Sequence, residues 1–197
     1  MAARLWLIAG ANGVGKTTYA FRHIRAVSGS AEFVNLDEIA RGISPLDVEM
    51  GRIRASRIAV RLIEDLIAEP RSFSLETTLA GRTHLRTIEA ARDAGMEVVI
   101  LYFAVRDVET CLGRIARRVA EGGHDVPEPE ARRRFGRSLA NFPLYAERAD
   151  LWRVFDANAR PRIVAEGRRG CIATADDLSS LPQPLSAHLA ALPPCAE

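Results

Sequence analysis

The chain is 197 residues long, 48% hydrophobic and 26% charged, a composition that predicts one soluble globular domain and excludes a disordered chain. Its 27 basic residues stand against 25 acidic ones, and a net charge of +2 argues against a protein whose main task is to coat nucleic acid. No apolar run approaches the ~18 residues of a membrane span and the N-terminus reaches polar sequence by Asn12, so a cytoplasmic protein without membrane contact is expected.

In chain order, Arg4 to Ala9 is a short apolar run ended by glycine, which suits a buried strand. A glycine-rich stretch, Gly10 to Thr18, leads into a helix reaching about Ala26. A second short strand, Glu32 to Leu36, ends in Asp37. After a loop holding Pro45, the apolar residues between Asp47 and Ala68 recur at helical spacing and predict one long amphipathic helix stopped by Pro70. Ser72 to Leu75 reads as a strand ending in Glu76-Thr77-Thr78, and a helix from about Arg82 to Ala94 is closed by Gly95.

Val98 to Val105, continuous, β-branched and aromatic, is the strongest strand signal. Asp107 is placed to cap the following helix and Gly122-Gly123 to end it. Pro127 and Pro129 introduce another helix, expected to break at Pro143, and Leu151 to Phe155 and Arg162 to Ala165 are two last strands. The expected organisation is an α/β domain over residues 1–167, followed by a polar, then proline-rich, loosely packed tail over 168–197. Cys111, Cys171 and Cys195, odd in number and widely spaced, fit neither a disulfide framework nor a metal knuckle. Strands alternating with helices predict a mainly parallel sheet covered on both faces, with the ligand beyond the carboxyl ends of its strands.

Of the 27 basic residues, 26 are arginine, and the single lysine is Lys16. Arginine has replaced lysine wherever a surface charge suffices, so Lys16 answers to a different constraint, that of a compact ammonium on a flexible stem. It lies in Gly10-Ala11-Asn12-Gly13-Val14-Gly15-Lys16-Thr17, a full match to the Walker A pattern between a strand and a helix. Backbone N–H groups of residues 10–18, through Thr18, would cradle the phosphates of ATP, Lys16 would reach the β- and γ-phosphates, and Thr17 would offer its hydroxyl to Mg2+.

Three further groups point to where the phosphate goes. Asp37 is a candidate general base for an acceptor hydroxyl, with a helix cap or a metal-shell carboxylate as the alternatives. Glu76 and Thr77 are candidates to hold an acceptor or a metal-bound water, or to cap the next helix. Arg114, Arg117, Arg118, Arg132, Arg133, Arg134 and Arg137 flank the turn Glu121 to Pro127, a helical hairpin of the kind a kinase lid uses to neutralise the transferring phosphoryl group. No aromatic platform interleaves with them, which weakens an RNA-binding reading.

Taken together, the glycine loop, Asn35-Leu36-Asp37, Leu75-Glu76-Thr77-Thr78-Leu79, Arg118-Val119 with Gly122-Gly123-His124, and Arg133-Arg134-Phe135 with Arg137-Ser138-Leu139 and Asn141-Phe142 resemble the zeta-toxin family. The resemblance is nearer to its short chromosomal branch, described as predicted ABC-type ATPases or kinases. It implies a P-loop kinase fold with an Arg-rich helical lid, and ATP-dependent phosphorylation of a hydroxyl on UDP-N-acetylglucosamine. It further implies Lys16 as the P-loop lysine, Asp37 as the base, Glu76 and Thr77 at the acceptor, and Arg118 with Arg133 or Arg134 on the phosphates. An antitoxin protein is the partner it implies. A kinase of another acceptor (an antibiotic, a metabolite or a nucleic-acid end) and a non-kinase regulatory ATP-binding module are the rival readings.

Overall fold

The structure, a computed structural model, describes residues 2–196. Seven strands form one sheet in the order β2-β3-β1-β4-β5-β6-β7. β1 (Arg4–Ala9) lies between β3 (Phe73–Thr77) and β4 (Glu97–Ala104), and β2 (Phe33–Val34) and β5 (Leu151–Asp156) extend the parallel part on either side. β6 (Arg162–Arg168) and β7 (Cys171–Ala175) add an antiparallel pair.

The continuous apolar runs of β1 and β4 resolve into two cores, because alternate side chains leave opposite faces. Leu5, Leu7, Val98, Ile100 and Tyr102 face one core, where they meet α4 (Val48–Ala68), α5 (Thr83–Asp93), α7 (Glu128–Ala146) and α8 (Gln183–Ala190). Trp6, Ile8, Val99, Leu101 and Phe103 face the other, packed against Ala20, Ile24 and Cys111. The latter residues come from a helical run made of α1 (Lys16–Tyr19), a π-helical turn (Ala20–Ile24) and α2 (Arg25–Ser28), and from α6 (Val108–Ala120). Each large side chain fully buried in this way stabilises the fold by about 1.5–3 kcal/mol.

Helix ends follow local chemistry. Asp47 caps α4 by accepting from the Met50 N–H, and Asp107 caps α6 by accepting from that of Thr110 at 2.8 Å. α5 closes at Gly95, whose left-handed backbone lets Met96 N–H reach the Ala91 carbonyl at 2.9 Å.

Four expectations are corrected. The second strand stops at Val34, and Asp37 therefore lies not at a strand end but in the first turn of α3 (Leu36–Ile43). The cause is Asn35, whose side-chain oxygen accepts from the N–H groups of Asp37 and Glu38 and starts a helix where a strand end and a loop were expected. α7 runs through Pro143 instead of breaking there. That proline falls in the last turn, where its carbonyl still accepts from Glu147 N–H, and Phe142 and Tyr145 on either side are fully buried.

The C-terminal stretch is not a loose tail. β6 runs past Gly167, β7 follows, and Leu181, Leu185 and Leu189 of the α8 region are buried in the larger core. The cysteine reading fails with it, since Cys171 and Cys195 form a disulfide and only Cys111 is free among the described residues. No helix among those residues is long and apolar enough to cross a membrane.

Candidate active site

Residues 10–15 leave β1 as a loop that only glycine can make at two points. Gly10 and Gly13 both have left-handed φ values, 136° and 83°. A Cβ on Gly10 would lie 2.2 Å from the Phe103 carbonyl oxygen, and one on Gly13 2.6 Å from that of Cys111. The loop is thus pressed onto β4 and α6. Arg114 of α6 pins it from outside, donating to the carbonyls of Ala157 (2.8 Å), Asn158 (2.7 Å) and Val14 (3.5 Å).

The loop delivers Lys16 and Thr17 to the carboxyl ends of the strands, where β3 ends in Glu76. Lys16 is buried, with its Nζ donating to the Ala11 carbonyl at 2.8 Å and standing 4.0 Å from Glu76 Oε1. Thr17 Oγ1 donates to that same oxygen at 2.9 Å. Asn35 Nδ2 donates to the other carboxylate oxygen at 2.8 Å. Asn35 therefore caps α3 with one end of its amide and fixes Glu76 with the other, a role that was not assigned from the sequence although Asn35 is of the residue type that starts helices.

Electrostatics in this network are tense. Burial pushes the Glu76 carboxyl above its ordinary range against the pull of Lys16, Thr17 and Asn35, and the Asp37 charge pushes the same way. Burial likewise pushes the Lys16 ammonium below its ordinary value, with Glu76 as the main opposing influence. A threonine hydroxyl beside a confined carboxylate is an all-oxygen donor set, which fits a hard divalent cation that completes its shell with phosphate and water. Among the described residues no group of three His, Cys, Asp or Glu side chains forms a self-sufficient metal cage.

Thr77 takes a different place from Glu76. Its Oγ1 accepts from Leu79 N–H at 3.2 Å, shaping the turn after β3. Leu79 is fully buried in a left-handed conformation, φ 53°, that a leucine rarely adopts. α7 holds it there. Asn141 Nδ2 donates to the Leu79 carbonyl at 2.7 Å and Tyr145 OH to that of Gly81 at 2.9 Å. One turn earlier Ser138 shares a 3.0 Å hydrogen bond with Tyr102 of β4, and one more turn back Arg134 reaches Asn12 Oδ1 of the glycine loop at 3.4 Å. Residues 134, 138, 141 and 145 lie on one face of the helix, so a single rod touches the glycine loop, the central sheet and the turn beyond Glu76.

The arginine hairpin forms from α6 and α7 as expected, with its arginines in unequal positions. Arg134, with 22% of its side chain exposed, bonds Glu130 at 2.6 Å and faces the glycine loop. Arg133, 53% exposed, is paired with the same carboxylate and makes no hydrogen bond to the glycine loop. Arg118 is exposed at the end of α6, yet close enough for its charge to lower the Lys16 pKa further. Arg132 is paired with Glu109 and Glu128, and Arg117 with Glu121, all on the surface. Between the hairpin turn, Asn12, Asp37 and α4 lies a cavity of about 240 Å3.

With this geometry in view, the chain can be compared with known proteins. The family AAA_33, described as an AAA domain, matches residues 5–143. An uncharacterized protein of Haemophilus influenzae is 32% identical over 126 residues, which cover 64% of this chain and 88% of that one. Among solved structures, the AvrRxo1-ORF1:-ORF2 complex with ATP superposes with a TM-score of 0.69 at 17% identity, covering 88% of this chain and 60% of that one. This chain thus spans less than two thirds of the length of that neighbour. A chain from the PezAT chromosomal toxin-antitoxin system of Streptococcus pneumoniae superposes at 0.65 with 15% identity, covering 84% of this chain and 72% of that one. The fold is that of P-loop kinase-like proteins.

Proposed function

The chain belongs to the AAA domain family, and from that premise we propose that it is an ATP-dependent kinase that moves the γ-phosphate to a hydroxyl of a small molecule. The observation that carries this reading is the buried junction of Lys16, Thr17, Glu76 and Asn35 at the carboxyl ends of β1 and β3, beside a cavity lined by Asp37 and roofed by the hairpin. The similarity in fold to a chain solved with ATP supports ATP as the donor.

In this mechanism the N–H groups of residues 10–18 and the Lys16 ammonium hold the triphosphate and stabilise charge on the β–γ bridge. A Mg2+ ion would be held by Thr17 with Glu76 behind it, and would neutralise phosphate charge there. Asp37 takes the proton of the acceptor hydroxyl as its oxygen bonds to the γ-phosphorus. The bond from that phosphorus to the bridging oxygen then breaks and ADP leaves. Arg134, and Arg118 on hairpin closure, face the developing phosphoryl charge. Arg133 would join this group by leaving Glu130, and Thr77 would reach an acceptor through the hydroxyl proton left free by its turn.

The resemblance to zeta toxins puts UDP-N-acetylglucosamine at the head of the acceptors to be tried, ahead of antibiotics, metabolites and nucleic-acid ends, and puts an antitoxin among the partners. Glu76 beside the P-loop also suits a water-positioning carboxylate, which would make the protein an ATPase. Incubation with labelled ATP and a hydroxyl panel, with mass analysis of the products, separates the two. Label on an acceptor supports the kinase. Acceptor-independent hydrolysis that disappears in Glu76→Gln overturns it.

A further inference from the structure

The cavity beside Asp37 has a size and a charge that bear on the acceptor, provided the kinase reading above holds. Its volume of about 240 Å3 lies below the ~300–1,000 Å3 typical of sites for drug-sized ligands. It can take a single ring or a short branched chain. A sugar joined to a nucleoside diphosphate exceeds that volume and would extend beyond it.

The charges go further. Four carboxylates line the cavity, Asp37, Glu49, Asp125 and Glu130, against two guanidiniums, Arg52 and Arg134. Both guanidiniums are engaged: Arg52 bonds Glu49 at 2.8 Å and Arg134 bonds Glu130 at 2.6 Å. His124 faces Glu49 at 3.4 Å, and its ring is turned to a carboxylate already shared with Arg52. Asp37 and Asp125 have no ion-pair partner among the described residues; Asp125 only accepts from Val126 N–H at 2.7 Å. The two unpaired carboxylates come from different elements, α3 and the hairpin turn. An acceptor entering between them brings no anion of its own without adding a third negative charge.

We propose that the acceptor is a small hydroxyl compound carrying a protonated amine, whose ammonium is held by Asp125 with Glu49 nearby while its hydroxyl is presented to Asp37. The chemistry is charge complementarity in a partly exposed depression, where a wrong-signed partner is disfavoured by unpaired carboxylates. A phosphorylated or diphosphate-bearing acceptor meets the same carboxylates as repulsion. The step is the one given above, with the hydroxyl oxygen as nucleophile and the amine as a handle that stays protonated and unchanged.

The test uses matched pairs that differ in one charge: amino sugars such as glucosamine and their N-acetyl twins, together with UDP-N-acetylglucosamine, each with labelled Mg-ATP and the full-length protein. Phosphate transfer should favour the amine over its twin by about fivefold to tenfold in kcat/KM, the scale of one or two partly exposed ion pairs. The ratio should shrink with added salt and in Asp125→Asn. It should shrink further in Glu49→Gln, which releases the Arg52 guanidinium into the cavity. Equal transfer to the twins, preference for UDP-N-acetylglucosamine, or no transfer to any amine overturns the acceptor class while leaving the kinase reading standing. Hydrolysis of ATP to water alone, lost in Glu76→Gln, removes the kinase reading itself.

Discussion

The two charged regions around the glycine loop are built on opposite principles. On the sheet side, Lys16 and Glu76 have 6% and 13% of their side chains exposed, and the glycine loop, Thr17 and Asn35 fix them in place. On the hairpin side, Arg133 is about half exposed and Arg132 two-fifths exposed, each tied to a carboxylate on its own helix or the adjacent one. The buried pair is costly to assemble and rigid once made, whereas exposed pairs are each worth at most about 1 kcal/mol and exchange partners readily. On the proposed kinase reading, the first region is preset for a triphosphate, and the second is free to respond to one.

The largest effect that would sharpen this contrast is at Lys16. Lys16→Ala should lower single-turnover transfer by ~10³ or more, and Lys16→Arg should fail as badly, since a planar guanidinium cannot replace an ammonium seated against the Ala11 carbonyl. Wild-type transfer by the arginine variant would break the idea of a preset site. Next comes Asp37, at the boundary between the two regions. Asp37→Asn should lower transfer by about 10²–10⁴ and leave Mg-ATP affinity within a few-fold; calorimetric loss of Mg-ATP binding would move Asp37 to the metal instead.

Within the hairpin, Arg134→Ala should reduce turnover by about 10- to 10²-fold while ground-state ATP binding changes little. Arg133→Ala should stay within about twofold, the range of an exposed pair. Equal losses would mean that the hairpin reorders far more than its pairing indicates. The smallest effect lies beneath the loop. Burial pushes the Cys111 thiol up to about 11, so the neutral thiol persists through pH 8 and iodoacetamide should leave the folded protein unlabelled there, with labelling restored by denaturant. Labelling of the native state by mass spectrometry would show that the loop lifts off α6.

Much of this was legible in the sequence, for a physical reason in each case. A lone lysine among 26 arginines sits in a loop whose glycines have no substitute. The parallel strands stand out because burial on both faces demands unbroken apolar runs. Asn35 escaped notice because one amide serves two ends, capping α3 and fixing Glu76, and a strand-like run conceals the cap. The C-terminal region was misread because proline and polar residues outweighed Leu181, Leu185 and Leu189, whose spacing of four is a helical signal. Two cysteines 24 residues apart pair across that region, and an odd total disguised them.

That last region has a consequence for how molecules meet one another. β7 has a largely exposed face and would offer unpaired N–H and C=O groups to any passing strand. Ile172 instead receives the chain's own end: its N–H donates to the Pro193 carbonyl and its carbonyl accepts from Cys195 N–H, both at 2.9 Å. Pro193 and Pro194 carry no N–H with which to pass the ladder on, and the Cys171–Cys195 bond keeps them in position. At the opposite margin β2 is only two residues long. The sheet thus carries a two-residue strand at one margin and at the other an edge partly covered at Ile172 by the proline-bearing chain end, so reduction of the disulfide should leave that edge freer to pair with other strands.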